Sequence, residues 1–274
     1  MPGTIEFLRR SAEERKTILC FGIDPVLERL NAGAATGAIE ERIEPFFHEI
    51  TDRLLEENEI SAIKPNYAYF ARYGFDGLYV LEGIMQRYKN KIPIILDGKR
   101  GDIGKSSDAY AAEAFDFWGA DALTISPYMG EDSVRPFTRE GKLAYVLCRT
   151  SNAGAKDFQE LRCGRKFLYE IVAQKAVAWG CGLVVGATSA SIKKLIKSAG
   201  TEVPFLIPGI GAQGGDLEMV MEALRPNPHI HRISASSSIA YAYEKSGGDP
   251  AEAALKEAQR LNGVIREYVP RFSK

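Results

Sequence analysis

Short apolar runs alternate with longer amphipathic segments along the whole chain. The runs lie at 18–24 (ILCFGID), 61–66 (SAIKPN), 93–97 (PIILD), 121–126 (DALTIS), 143–150 (LAYVLCRT), 182–188 (GLVVGAT), 204–210 (PFLIPGI) and 231–237 (HRISASS). Most are apolar at successive positions, the pattern of strands covered on both faces. Between them hydrophobic residues recur at helical spacing: Ile43, Phe46, Phe47, Ile50 and Leu54 within 39–57, then further helical patterns at 75–88, 106–117, 166–179, 189–200 and 216–224. Ahead of the first strand, Ile5, Leu8 and Ala12 predict an amphipathic helix over 5–16 that lies across one end of the domain. After the last strand, 249–268 is helical, with Pro250 in its first turn, and is expected to cap the ring.

Eight strand-helix units in 274 residues predict an α/β fold, a single (β/α)8 TIM barrel domain over 1–274 with an N-terminal helix and a C-terminal capping helix. An open doubly wound sheet is the alternative, but it calls for GxGxxG after the first strand, and that motif is absent. No linker, repeat or low-complexity stretch divides the chain. In a barrel the loops after the strands form the active-site mouth. The residues that collect there are Asp24, Lys64, Asn66, Asp97, Lys99, Asp102, Ser126, Ser151, Asn152, Thr188, Gln213 and the run Ser234 to Ser238.

Charge narrows the partners. Lys+Arg 35 against Asp+Glu 36 gives a net charge of -1, so no global field suits nucleic acid or a membrane surface, and a small molecule is expected. The cysteines Cys20, Cys148, Cys163 and Cys181 form no CxxC pair and the three histidines offer no zinc spacing, which predicts reduced thiols in a cytoplasmic protein. The first residues are charged rather than apolar, so neither a signal peptide nor an anchor is expected, and no run approaches the roughly 18 apolar residues of a membrane span.

The most unusual stretch is 93–107, PIILDGKRGDIGKSS, an apolar strand that ends abruptly in Asp97, Lys99, Arg100 and Asp102. Alternation along a strand sets Asp97 and Lys99 on one side, and Lys64 on the neighbouring strand would extend an interlocked Lys-Asp-Lys-Asp row. Such a row suits the expulsion of a carboxylate beside Asp97 and protonation of the resulting carbanion by Lys99. The plainer alternative is a charge ladder that satisfies a polar barrel end. LIPGIGAQGGD at 206–216 is a glycine-rich turn after the seventh strand, where barrels often seat phosphate on backbone amides, though a tight turn explains it equally. Asp24 before Pro25 either binds a sugar hydroxyl or caps the turn. RTSNAG at 149–154 opens a long loop that reads as a lid or as an unstructured connector.

DGKRGDIG at 97–104, with Lys64-Pro65-Asn66 upstream and PGIGAQGG at 208–215 downstream, resembles the orotidine 5′-phosphate decarboxylase family, in particular its longer-chain bacterial branch. The resemblance runs from Phe21 to about Ala242. It implies decarboxylation of orotidine 5′-monophosphate to UMP and CO2, the last step of de novo pyrimidine nucleotide synthesis, with no metal or organic cofactor. It further implies a charged tetrad of Lys64, Asp97, Lys99 and Asp102, with Lys99 as proton donor to C6. Asp24 and Lys64, beside Asn66, would hold ribose, Ser126 and Asn152 the pyrimidine, and Gln213, Gly214 and the position of Ser237 the phosphate. A homodimer is implied, in which Asp102, Ile103 and Ser106 reach the neighbour's site. One departure stands out: members carry an arginine where this chain has Ser237, so its phosphate grip differs, at a cost of about 1.5–3 kcal/mol if nothing replaces it. Arg232 is near in sequence but on the predicted strand. The alternatives are a metal-dependent sugar-phosphate decarboxylase or aldolase barrel, and a catalytically weak nucleotide-binding barrel.

Overall fold

A computed structural model describes residues 3–30, 37–187, 192–210 and 216–269. Eight parallel strands form the barrel: β1 (Leu19–Ile23), β2 (Ala62–Pro65), β3 (Ile95–Arg100), β4 (Ala122–Ile125), β5 (Leu143–Arg149), β6 (Gly182–Val185), β7 (Phe205–Pro208) and β8 (Arg232–Ala235). Hydrogen-bonded neighbours follow the order β2-β1-β8-β7-β6-β5-β4-β3. The ring closes between β2 and β3 through two parallel bridges, Ile63 to Ile94 and Asn66 to Asp97. The seam therefore falls where the sequence places its charges.

The helices follow the predicted periodicity: α1 (Thr4–Arg15), α2 (Ile39–Glu56), α3 (Gly74–Tyr88), α4 (Gly104–Ala112), α5 (Leu168–Ala178), α6 (Ile192–Ala199), α7 (Leu217–Leu224) and α8 (Pro250–Tyr268). Past α4 the chain runs on as a π turn, Glu113–Phe117, so the predicted helix over 106–117 is two pieces. α8 begins as expected, with Pro250 in its first turn and the Asp249 carboxylate accepting from the Glu252 amide at 2.9 Å. No helix among the described residues is long and apolar enough to cross a membrane. All four cysteines are free.

Two apolar layers hold the fold. The larger lies between strands and helices, where α2 sends Ile43, Phe47, Ile50 and Leu54, all buried, against β1 and its neighbours. The smaller fills the barrel itself: Cys20, Ala62, Ile95, Ala122, Leu143, Tyr145, Val184 and Leu206, plugged from below by Leu8 of α1. α1 thus lies across the barrel's end, as its periodicity predicts. Its Thr4 hydroxyl donates to the Asp121 and Gly141 carbonyls at 2.9 and 2.6 Å, and Ser11 donates to the Ser61 carbonyl at 2.9 Å.

Arg232 completes this floor. It is fully buried on β8 and donates to the carbonyls of Leu8, Ser61, His229 and His231. Burial pulls its guanidinium down to about 10, which leaves it charged at neutral pH. Held at the closed end, it is out of reach of a ligand at the mouth.

The stretch after β5 is ordered rather than an unstructured connector. A short helix, Ala155–Phe158, leads to an antiparallel hairpin, Arg162–Cys163 with Lys166–Phe167. Arg149 pairs with Glu160 at 2.7 Å, and Gln159 accepts from the Thr150 amide at 2.8 Å, so the loop is tied back to the strand that launches it.

Replacement of Arg232 by alanine strands several buried carbonyls and opens a cavity. We expect a loss of about 3 kcal/mol or more in urea unfolding, with turnover per folded molecule unchanged. A stability within 0.5 kcal/mol of wild type, the range of ordinary surface changes, would show that Arg232 is not a structural tie.

Candidate active site

The polar layer sits one step above the apolar floor. Side chains two residues apart on a strand share a face, so the inward positions after Ala62, Ile95 and Ala122 are Lys64, Asp97 and Thr124. All three are buried. Lys64 Nζ donates to Asp97 Oδ2 at 2.8 Å, Lys99 Nζ to Asp97 Oδ1 at 2.6 Å, and Thr124 Oγ1 to Asp97 Oδ1 at 2.8 Å. One carboxylate therefore receives two ammoniums and a hydroxyl.

Strand alternation does not bring Lys99 there. The register of β3 against β4 shifts between Leu96 and Arg100, and Lys99 has φ 45, in the left-handed region. That conformation costs a non-glycine residue about 1–2 kcal/mol. Here the Lys99 amide donates to Thr124 Oγ1 at 3.0 Å, so Thr124 secures both the turn and the carboxylate. Lys99 is half exposed while Asp97 is not, which leaves the ammonium facing the mouth. Arg100, next along, turns away to stack on Tyr67 and Tyr110 and to pair with Glu113 at 2.8 Å, anchoring the loop after β3.

The charges reinforce one another. Burial by itself would push the Asp97 carboxyl up, but the adjacent Lys64 and Lys99 ammoniums outweigh it and hold the group well below the usual carboxylate range. Burial would pull Lys64 down; Asp97, with Asp24 behind it, overrides this and raises it above an ordinary lysine. Both stay ionised at neutral pH.

A cavity of about 310 Å³ opens above this row, lined by Asp24, Arg29, Lys64, Asn66, Asp97, Pro208 to Ile210, Ser236, Ser237 and Tyr241 among others. Its size suits a small ligand. Asp24 Oδ1 is buried in this wall without a hydrogen-bond partner, an acceptor aimed at a ligand donor. Close approach of β8 shapes the wall as well: a Cβ on Gly22 would lie 1.8 Å from Ser236 Oγ, so only glycine fits there.

Of the residues singled out from the sequence, Asp24, Lys64, Asn66, Asp97 and Ser237 line this cavity, and Lys99 joins it through Asp97. Asp102 does not enter the row within one chain; its carboxylate accepts from the Ile103 amide at 2.8 Å. Within one chain the row is Lys64, Asp97 and Lys99, joined by Thr124. Ile103 and Ser106 are exposed, Ser126 meets the Arg100 carbonyl through its amide at 2.7 Å, and Asn152 is exposed and accepts from the Thr150 hydroxyl. Thr188, Gln213 and Gly214 lie outside the described residues. Thr124, Arg29 and Tyr241 escaped the sequence reading. Thr124 was legible as the inward position two after Ala122, whereas nothing local to Arg29 or Tyr241 marks them.

Comparison with known proteins adds independent weight. The model of the orotidine 5′-phosphate decarboxylase / HUMPS family matches residues 19–240. A similar curated protein is the orotidine 5′-phosphate decarboxylase of Polaromonas naphthalenivorans (strain CJ2), 40% identical over 274 residues, covering 96% of this chain and 95% of the relative. Among solved structures, Leishmania donovani OMP decarboxylase is 35% identical with TM-score 0.77, over 96% of this chain and 99% of that one. A putative orotidine 5′-phosphate decarboxylase from Streptomyces avermitilis superposes with TM-score 0.83 at 28% identity, over 98% of this chain and 96% of that one.

Asp97→Leu alone strands Lys64 and is expected to cost about 3–5 kcal/mol in urea unfolding at pH 7, while Lys64→Met combined with Asp97→Leu costs far less because no buried charge is left unpaired. The depressed Asp97 contributes stability that is fully present above about pH 4 and fades as pH falls through its folded value; the raised Lys64 contributes below about pH 10 and fades as pH rises through its own. The stability gap between wild type and the double variant is therefore expected to be flat from about pH 5 to 9 and to change below about pH 4. Equal losses in the single and double variants would sink this account of the layer.

Proposed function

The chain belongs to the orotidine 5′-phosphate decarboxylase / HUMPS family, and from that premise we propose that it converts orotidine 5′-monophosphate to UMP and CO2 in pyrimidine nucleotide synthesis. The observation that carries the mechanism is the single buried carboxylate held between two ammoniums at the cavity floor. Asp97 is clamped by Lys64, Lys99 and Thr124, so it cannot swing away when a second carboxylate arrives. Two such anions about 4 Å apart repel by about 4 kcal/mol at an effective dielectric of 20. Breaking the bond from C6 to the carboxylate releases neutral CO2 and removes that repulsion. The electron pair left on C6 is stabilised by the Lys99 ammonium, which then delivers its proton and recovers one from water. Asp97 remains anionic throughout.

We assign the other residues the roles that the family resemblance implies. Asp24, with its orphan Oδ1, takes a ribose hydroxyl together with Lys64 and Asn66. Ser126 and Asn152 meet the pyrimidine, and Gln213 and Gly214 serve the phosphate. Asp102, Ile103 and Ser106 act on the site of a second copy in a homodimer. Support for that assembly comes from the apolar side chains left exposed on the loops after β3 and β4: Ile103, Tyr128 and Met129 are 58, 81 and 43% exposed. The metal-dependent alternative finds no group of three His, Cys, Asp or Glu side chains among the described residues that could hold an ion.

Loss of absorbance from orotidine 5′-monophosphate, followed with EDTA present, tests the reaction: wild type is expected to turn over, and Lys99→Ala to be slower by about 10³-fold or more. Absence of wild-type turnover would overturn the proposal, and dependence on added metal would favour the alternative. A mixing experiment tests the shared site. Equal amounts of Lys99→Ala and Asp102→Asn chains, each inactive alone, are expected to recover about one quarter of wild-type activity, because half the dimers are mixed and each of those holds one intact site. Recovery of nothing would place Asp102 in its own chain's site.

A further inference from the structure

We infer that Arg29, from the loop after β1, is the cation that receives the substrate's phosphate; the inference rests on the proposed reaction, whose substrate carries a phosphate monoester. The cavity lining holds two carboxylates, Asp24 and Asp97, and two cations, Lys64 and Arg29. The Lys64 ammonium is buried and committed to Asp97. Arg29 pairs with Glu244 through Nε and Nη2 only, and it shares the lining with the Ser236 and Ser237 hydroxyls and the backbone from Pro208 to Ile210. Arg29 is the one guanidinium among the cavity's described lining residues.

Arg29 is also held in place as a binding group would need to be. Three residues of a single turn after Ser237 converge on it. Its guanidinium lies over the Tyr241 ring, 3.8 Å from the centroid, and Glu244 takes Nε and Nη2 at 2.8 and 2.6 Å. The Tyr243 hydroxyl donates to the Arg29 carbonyl. Tyr241 further fixes the loop, donating to the Asp24 carbonyl and accepting from the Val26 amide, both at 2.9 Å. The ring and the carboxylate thus engage one face and one edge, which leaves Nη1 for an anion. The side chain is 35% exposed, so it is reachable. Ser237, small, lines both this cavity and the outer one behind it that Arg29 also lines, so the space a longer side chain at 237 would take is open to Arg29. Arg232, the other candidate by sequence, is buried at the closed end.

Tyr241 and Glu244 are therefore positioning residues for Arg29, and Arg29 supplies a charge-assisted contact to phosphate oxygen. Calorimetric binding of UMP and of uridine separates this role from a structural one. Arg29→Ala is expected to weaken UMP about 10- to 100-fold, the equivalent of about 1.4–2.8 kcal/mol, with uridine unchanged. Arg29→Lys should recover part of the loss, as should Arg29→Ala combined with Ser237→Arg. UMP affinity unchanged in Arg29→Ala, or UMP and uridine weakened equally in both Arg29 variants, would overturn the inference and make Arg29 a strap between loops. Because these are binding measurements, they stand apart from the proposed reaction, which fails on its own if the wild type does not turn over orotidine 5′-monophosphate.

Discussion

A carboxylate that is buried and still ionised constrains everything around it. Asp97 sits on an apolar floor where an isolated charge would be very costly, and it survives there because Lys64, Lys99 and Thr124 all donate to it. Each donor needs a different strand or turn held in register. The β2 to β3 seam, the shifted register of β3 against β4, and the left-handed backbone at Lys99 are the structural means by which those three groups meet one residue. Stability and reactivity draw on the same contacts, since the clamp that keeps Asp97 charged also keeps it from yielding to an incoming anion.

The barrel separates that reactive layer from its supports. Below, Leu8 and Arg232 close the end, with Arg232 tying α1, β2 and the entry to β8 through backbone carbonyls. Above, the cavity lining combines the carboxylates of Asp24 and Asp97 with the Arg29 guanidinium.

Ser237 and Arg29 line the same cavity wall. Tyr241, Tyr243 and Glu244 turn inward toward the loop after β1 and hold Arg29 by ring, carbonyl and carboxylate. A short segment at the end of β8 thereby governs the geometry of a loop more than two hundred positions earlier. Such coupling is available because the first and last strands are neighbours in a closed ring.

By itself the sequence determined the elements and the end at which chemistry collects. Eight apolar runs separated by helical periodicity leave little but a parallel barrel, and polar residues after buried strands can lie only at its mouth, where backbone and charge find solvent. The contact between Lys64 and Asp97 was legible too, because each stands two positions beyond a small or apolar inward residue on what proved to be adjacent strands. Tertiary structure decided the rest. Lys99 arrives through a bulge and a positive φ, and no periodicity encodes a break in periodicity. Within one chain Asp102 stays with its own loop, where its carboxylate accepts from the Ile103 amide, and Arg100 ahead of it stacks on two tyrosines. Arg29 gained its place from contacts spanning nearly the whole chain. Local pattern specifies which face of an element is buried, whereas the meeting of side chains from distant elements depends on how the ring closes.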